Sequence, residues 1–483
     1  MDAALSDRPA RFYVAALALI TAAGILVRVA AARGDLWLDE IWSLQTLEKL
    51  SRADEIFYGV SQDNNHFLNS LWLWCVGPQP APLVARILSV ALGAAAIPLA
   101  AEIARRAGGA AAGVCAALLF AFGYAFVLYG SEARGYAGLI LAALVAIFAL
   151  DRHAENPRDR RPLVMFGAAA FLGALFHLTM VFAVFALSLA AFARFHAQTR
   201  DARAAMRFAL PLAGAGTLGL APAGACVVAS ILYTHKMQTG DQHAFAFERL
   251  AAGLASAARI VFGLPFVWSD ATALILALIV IAAALALLPA PRRVFFAVAI
   301  LAAPSLAVFL QLPNLHIPRF HLVSAVAAAL AVAEGLGALF ARSRPAARVG
   351  ALAVLAACLA GDGAQLRHLL LFGRGQPAAA VAAMSAAGPA LYDSNGRPET
   401  IRVVRYYAGL AGADLRPADF SSPAAWCAAP PQWFVRAQDP EDRAPSPPIL
   451  ALGAPDCAKT YEKRQFFPSA EISGAKWTLY RLQ

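Results

Sequence analysis

Residues 83–106 read LVARILSVALGAAAIPLAAEIARR, an apolar run with one arginine near its start and a twin-arginine stop at Arg105-Arg106. A helix rising about 1.5 Å per residue needs roughly 20 such residues to cross a hydrocarbon core about 30 Å thick. The run therefore predicts a membrane span whose C-terminal end faces the cytoplasm, where short loops collect Arg and Lys. The pattern repeats along the chain. Apolar runs at 12–32, 109–129, 135–150, 162–177, 179–195, 208–231, 271–288, 294–311, 320–340 and 349–371 bring the prediction to about eleven spans. Under that assignment the basic clusters Arg105-Arg106, Arg152–Arg161, Arg194–Arg207, Arg292-Arg293 and Arg342–Arg348 all fall inside. Arg8 and Arg11 place the N-terminus inside as well, and the odd count sends the C-terminus outside. Ala30-Ala31-Ala32 has the look of a cleavage site, but Arg28 interrupts the run before it and Arg33 follows, which favours an uncleaved first helix.

Composition agrees with this reading. A chain of 483 residues that is 60% hydrophobic and 14% charged, with a mean hydropathy of +0.61, is not a soluble globular protein. The net charge of +10 sits in short loops at alternate span ends, without an aromatic-interleaved basic face, so it reports topology rather than nucleic-acid binding. The cysteines have no metal-ligand spacing. Cys75, Cys115, Cys226 and Cys358 lie in or beside apolar runs as small packing residues. Cys427 and Cys457 lie in the polar C-terminal part, and their spacing leaves a disulfide and two free thiols equally open.

Three stretches break the pattern of spans. Residues 33–82 form a first external loop, with a surface helix predicted over 41–57 and a short apolar helix over 66–77 that cannot cross. Residues 232–268 form a long external segment. From 376 onward Pro, Asp, Arg and Ser rise and no run can cross. Helices are predicted there near 378–387 and 398–407, and strands near 390–392, 433–436 and 477–482. The predicted fold class is an all-α polytopic membrane protein over 1–375, followed by a small external α/β domain over 376–483. No internal repeat supports an inverted-repeat transporter.

Charged residues are few, so those near external span ends stand out. Asp39-Glu40 follows the first span, flanked by Trp37, Leu38, Ile41 and Trp42. Such a pair can cap a helix, with Asp at the start and Glu in the first turn, or it can take a proton from a hydroxyl at the membrane boundary. His66, after Asp63-Asn64-Asn65, opens the short helix, where Asn64 or Asn65 can cap and His66 can donate to a sugar or phosphate. Glu132-Ala133-Arg134-Gly135-Tyr136 joins the third and fourth spans; Glu132 and Arg134 can neutralise each other, or the guanidinium can grip a phosphate. Arg319 enters the tenth span from outside, either snorkelling to headgroups or binding an anion. Lys236 is a further external donor, whereas Arg86 and His177 read as packing or anchor residues.

Taken together, Trp37-x-Asp39-Glu40, Asn65-His66, Arg86, Glu132-Ala133-Arg134-x-Tyr136 and Pro318-Arg319-Phe320 resemble, in order and sidedness, the GT-C superfamily of polyprenyl-phosphate-sugar-dependent glycosyltransferases. That superfamily includes protein O-mannosyltransferases and lipid A aminoarabinose transferases, and the resemblance is nearest to the branch related to Rhizobium lipopolysaccharide-core transferases. It covers 12–150 and, more weakly, 313–335. The chain has His66-Phe67-Leu68-Asn69 where the family often has His-Pro-Pro-Leu, and Arg319-Phe320 where it often has Arg-Tyr. The resemblance implies a multi-pass enzyme of the bacterial inner membrane with a cytoplasmic N-terminus and a periplasmic C-terminal domain. It implies transfer of a sugar from a polyprenyl-phosphate donor to a glycan, lipid or protein acceptor. Asp39 and Glu40 would be catalytic, and His66, Glu132, Arg134, Tyr136, Lys236 and Arg319 would bind substrate. A divalent cation (Mg or Mn) at Glu132 is compatible, since members of the superfamily differ on metal use. The rival readings are a transporter or flippase of lipid-linked sugar and a non-catalytic envelope assembly protein.

Overall fold

The computed structural model describes residues 8–62, 65–236, 243–453 and 457–483. Asp63 and Asn64 lie outside the described residues. The chain forms two compact units, each interrupted in sequence. The first comprises the chain up to Ala32, Leu50–Cys75 and Arg86–Ala364; the second comprises Arg33–Lys49, Val76–Ala85 and Gln365–Gln483.

Each predicted apolar run of the first unit falls on a helix. Nine helices among the described residues are long and apolar enough to cross a membrane. Pro82–Phe122 counts once among them, yet Gly109 at φ 81° divides it into two helices end to end, a conformation glycine adopts without a Cβ clash. Arg161–Phe176 is apolar but shorter. The protein is a multi-pass membrane protein. Helix Leu322–Phe340 is buried along nearly its whole length, whereas Arg8–Ala31 turns Phe12, Leu19 and Leu26 outward. Apolar side chains exposed on that scale are stable against lipid rather than water.

Without a hydrophobic drive between helices in lipid, small residues let backbones approach. Gly337 shows this, since a Cβ there would come within 2.5–2.9 Å of Ala112. One group of charges inside the unit is locked in ion pairs. Arg292 donates to both carboxylate oxygens of Glu334 and of Asp151, and Arg194 also binds Asp151. These four residues sit near the ends of Tyr136–Glu155, Met180–Thr199, Ala290–Phe309 and Leu322–Phe340 and tie them together.

One expectation for the loops is filled in and another corrected. Within residues 232–268, Phe247–Phe262 is a helix that buries Leu250, Ala257, Ala258 and Val261. Its small residues and Arg249 and Arg259 keep its hydropathy low, which hides it from a span search. The surface helix predicted over 41–57 is instead Leu38–Leu47, followed after a break by a 3-10 turn at Ala53–Phe57.

The second unit carries a six-stranded mixed sheet in the order β2-β1-β3-β6-β5-β4. The strands are β1 (Ala390–Ser394), β2 (Leu415–Pro417), β3 (Trp433–Gln438), β4 (Ile449–Leu452), β5 (Lys459–Phe467) and β6 (Lys476–Leu482). β1 runs parallel to β2 and β3, and the remaining pairs are antiparallel. Helices Pro377–Ser385, Arg397–Ala411 and Pro423–Ala428 accompany the sheet. β1, β3, β6 and the first two helices match the predicted segments. β5 escaped prediction because a register shift between Lys463 and Gln465 breaks the period of two, and only Tyr461 and Phe467 are buried. A disulfide joins Cys427 to Cys457 with Cα atoms 5.9 Å apart, deciding the question the spacing left open.

Candidate active site

The Glu132 loop is placed by a helix break. Residues predicted as one span, 109–129, stop at Phe122 and resume as Tyr124–Tyr129, with Gly123 between. Breaking a helix exposes carbonyls on one side and N–H groups on the other, and both are expensive in an apolar surround. Arg28, fully buried, donates to the carbonyls of Phe120, Ala121 and Phe126 at 2.6–3.3 Å. Asp362, on the helix Pro345–Phe372, accepts the Tyr124 N–H at 3.0 Å. The break is thus capped from both sides.

Beyond it the chain turns through Ser131–Gly135 into Tyr136–Glu155, and other segments hold that turn. Asn69 Nδ2 donates to Ala133 O at 2.7 Å and Ser89 Oγ to Arg134 O at 3.2 Å. Gly135 admits no Cβ, because the Phe176 carbonyl occupies that space. Glu132 is 1% exposed and Arg134 5%.

Around this turn, residues distant in sequence meet. The Arg134 guanidinium lies 5.0 Å from the Tyr136 ring centre. His66 stacks on His177 at 4.9 Å and meets the edge of Tyr136 at 5.6 Å, and Tyr129 lies 4.9 Å from Tyr136. Arg319, from the 3-10 turn Pro318–His321, acts electrostatically on His66, His177 and Tyr129, and Glu132 acts on Tyr129. Five predicted residues, His66, Glu132, Arg134, Tyr136 and Arg319, are therefore neighbours within the first unit.

Both histidines sit in turns beside helix ends, and both are held neutral. Burial, then the Arg134 guanidinium, keeps His66 well below the usual histidine range. Burial, then Arg134 and Arg319, pushes His177 down to about 3. The His66 Nε2 has no hydrogen-bond partner among the described residues. The His177 Nδ1 accepts the Thr179 N–H at 3.2 Å, which leaves the hydrogen on Nε2. His177, read from sequence as packing, is a member of the cluster; its partners lie in other segments, and no local signal marked it.

Asp39 and Glu40 belong to the second unit, on helix Leu38–Leu47, which packs on Arg397–Ala411. Glu40 is fully buried and its Oε2 accepts the Trp37 N–H at 3.1 Å, the reciprocal half of a capping box. Trp37 rather than Asp39 is the cap residue, which leaves Asp39 half-buried in the first turn, its carbonyl accepting from Ser43 Oγ. Tyr407 OH donates to Leu36 O, and Arg402 covers the Trp42 ring at 4.9 Å, so the C-terminal part of the chain holds this helix. Lys236 is exposed just past Ala202–Thr234. Arg86 is fully buried and donates to Ala32 O. Among the described residues no three His, Cys, Asp or Glu side chains are grouped to hold a metal ion.

No family model matches the sequence, and no curated protein matches it by sequence comparison. Among solved structures, ArnT from Cupriavidus metallidurans in the apo state is similar over 96% of this chain and 97% of its own, at 14% identity and a TM-score of 0.50. The same protein bound to undecaprenyl phosphate gives the same figures. The Archaeoglobus fulgidus oligosaccharyltransferase AglB, in complex with an inhibitory peptide and a dolichol-phosphate, is similar over 89% of this chain and 69% of its own, at 12% identity and a TM-score of 0.48.

Proposed function

The chain has the fold of GT-C glycosyltransferases, and from that premise we propose that it transfers a sugar from a polyprenyl-phosphate donor to an acceptor at the external face of a bacterial inner membrane. The observation that carries the proposal is the cluster of Arg134, Arg319, Glu132 and two neutral imidazoles among apolar helices. Burying such groups is costly, and a charged cluster inside a membrane protein is by default a working site.

In the proposed reaction Asp39 takes the proton of an acceptor hydroxyl, whose oxygen forms the new bond to the anomeric carbon of the donor. The bond from that carbon to the phosphate oxygen breaks, and the polyprenyl phosphate leaves. Arg134 and Arg319, with Lys236 as a third cation, stabilise the charge that grows on the phosphate as the bond breaks. Glu132 accepts hydrogen bonds from sugar hydroxyls, with His66 and Tyr136 beside it, and Glu40 holds the turn that carries Asp39. The transporter reading draws no support from the Arg292 group, which lies at helix ends with both its acids bound by arginine.

The test is transfer from a synthetic short-chain polyprenyl-phosphate sugar by the purified protein. Asp39→Asn loses at least about 100-fold in rate, the lower range for a proton-transfer group, with unchanged insertion and thermal midpoint. Wild-type rates in that variant would remove Asp39 from the mechanism.

A further inference from the structure

The second unit contains a cavity of about 520 Å³ that the reaction above does not use. Its position follows from the order of the strands. The chain leaves β1 through Arg397–Ala411 to β2 on one side, then passes through Pro423–Ala428 to β3 on the other. Connections that diverge from one strand leave a crevice at its carboxyl end, the place where open α/β sheets bind ligands. The cavity lies there: Asn395 and Gly396 follow β1, and Ala437 and Gln438 end β3. Asn395 pins the two ends together, giving and taking a hydrogen bond with the Ala437 backbone at 2.8 and 2.7 Å.

The lining indicates the ligand. Glu399, Asp439 and Asp442 outnumber the buried Arg374, which disfavours an anion. Glu399 already stands in the first turn of Arg397–Ala411, where the helix dipole would otherwise favour a phosphate. Trp37 and Trp477 add indole surface. A pyranose ring suits such walls, since its C–H face is apolar and its hydroxyl edge donates to carboxylates. The volume falls within the range of roughly 300–1,000 Å³ usual for small-molecule sites. Trp37 and Leu38 line the cavity directly before Asp39 in the chain, so an occupant borders the proposed base.

We propose that this cavity is a saccharide subsite holding the sugar portion of the acceptor. Calling the ligand the acceptor rests on the transferase reading; binding itself does not.

The experiment uses the full-length protein in detergent, without donor, and titrates chitobiose, mannobiose and galactobiose by saturation-transfer NMR, with a Ser/Thr peptide in parallel. At least one disaccharide binds saturably, and the double variant Glu399→Gln with Asp439→Asn raises its Kd at least tenfold. Both positions are exposed, so the thermal midpoint stays at the wild-type value. Asp39→Asn keeps the binding. The subsite is overturned if no disaccharide binds, if the double variant binds as well as wild type, or if only the peptide binds. Disaccharide binding lost in the double variant, in a protein that transfers no sugar, keeps the subsite and removes the transferase reading; transfer without such binding does the reverse.

Discussion

Two charged groups of the first unit, one around Arg292 and one around Arg134, differ in makeup. Arg292 and Arg194 face Asp151 and Glu334, two cations against two anions, each acid within hydrogen-bond distance of a guanidinium. The group around Arg134 has two guanidiniums, one carboxylate, and two imidazoles that burial keeps uncharged. The first sums to zero, whereas the second sets its charges beside uncharged rings. A balanced group can hold helices together without any visitor. Guanidiniums among apolar helices are what a departing phosphate would meet.

The largest effect tests the balanced group. Arg292→Leu leaves Glu334 and Asp151 without their shared guanidinium and costs about 3–5 kcal/mol of stability, the usual result of orphaning a buried charge. It should appear as a lower thermal midpoint in detergent. Removing both acids along with it, as Arg292→Met with Glu334→Gln and Asp151→Asn, recovers most of that loss.

The next tests the Arg134 group. Arg319→Gln lowers transfer by about 100- to 1,000-fold, or roughly 3–4 kcal/mol of transition-state stabilisation, with little change in midpoint. If instead Arg319→Gln unfolds the protein and Arg292→Leu spares it, the contrast between the two groups is reversed.

Acid supplies a smaller effect. His66 and His177 bind their protons less readily folded than unfolded, so the unfolded state takes up protons first as pH falls. Their contribution is fully present above the unfolded value near pH 6.5 and is lost downward, for His177 until about 3, by up to about 1.4 kcal/mol per pH unit for each group. Midpoints measured from pH 7 to 5 should fall in wild type and fall less in His177→Gln. The smallest effect is expected from Asn69→Ala, which removes the bond to Ala133 O and costs about 1 kcal/mol, with a modest rate loss as the Glu132 turn loosens.

The spans were legible because lipid imposes length and apolarity on every crossing helix. The Glu132 turn and Arg319 were legible for the related reason that charge is scarce there. His177 was not, because its value comes from stacking on a residue in another segment. Phe247–Phe262 was missed because it packs with small residues, and β5 because one bulge disturbs its alternation. That Asp39-Glu40 shares a compact unit with the C-terminal part depends on contacts such as Tyr407 to Leu36, which no local pattern announces.

The caps at Gly123 change how the first helix is to be regarded. By hydropathy it could be exchanged for any generic anchor, and a chain starting after it would still thread its later spans. Such a chain would lack Arg28, however, and the carbonyls of Phe120 and Ala121 would have no guanidinium to answer them. Swapping the anchor is therefore predicted to spare biogenesis and to unmoor the polar turn, separating a leader's work from a scaffold's in one chimera.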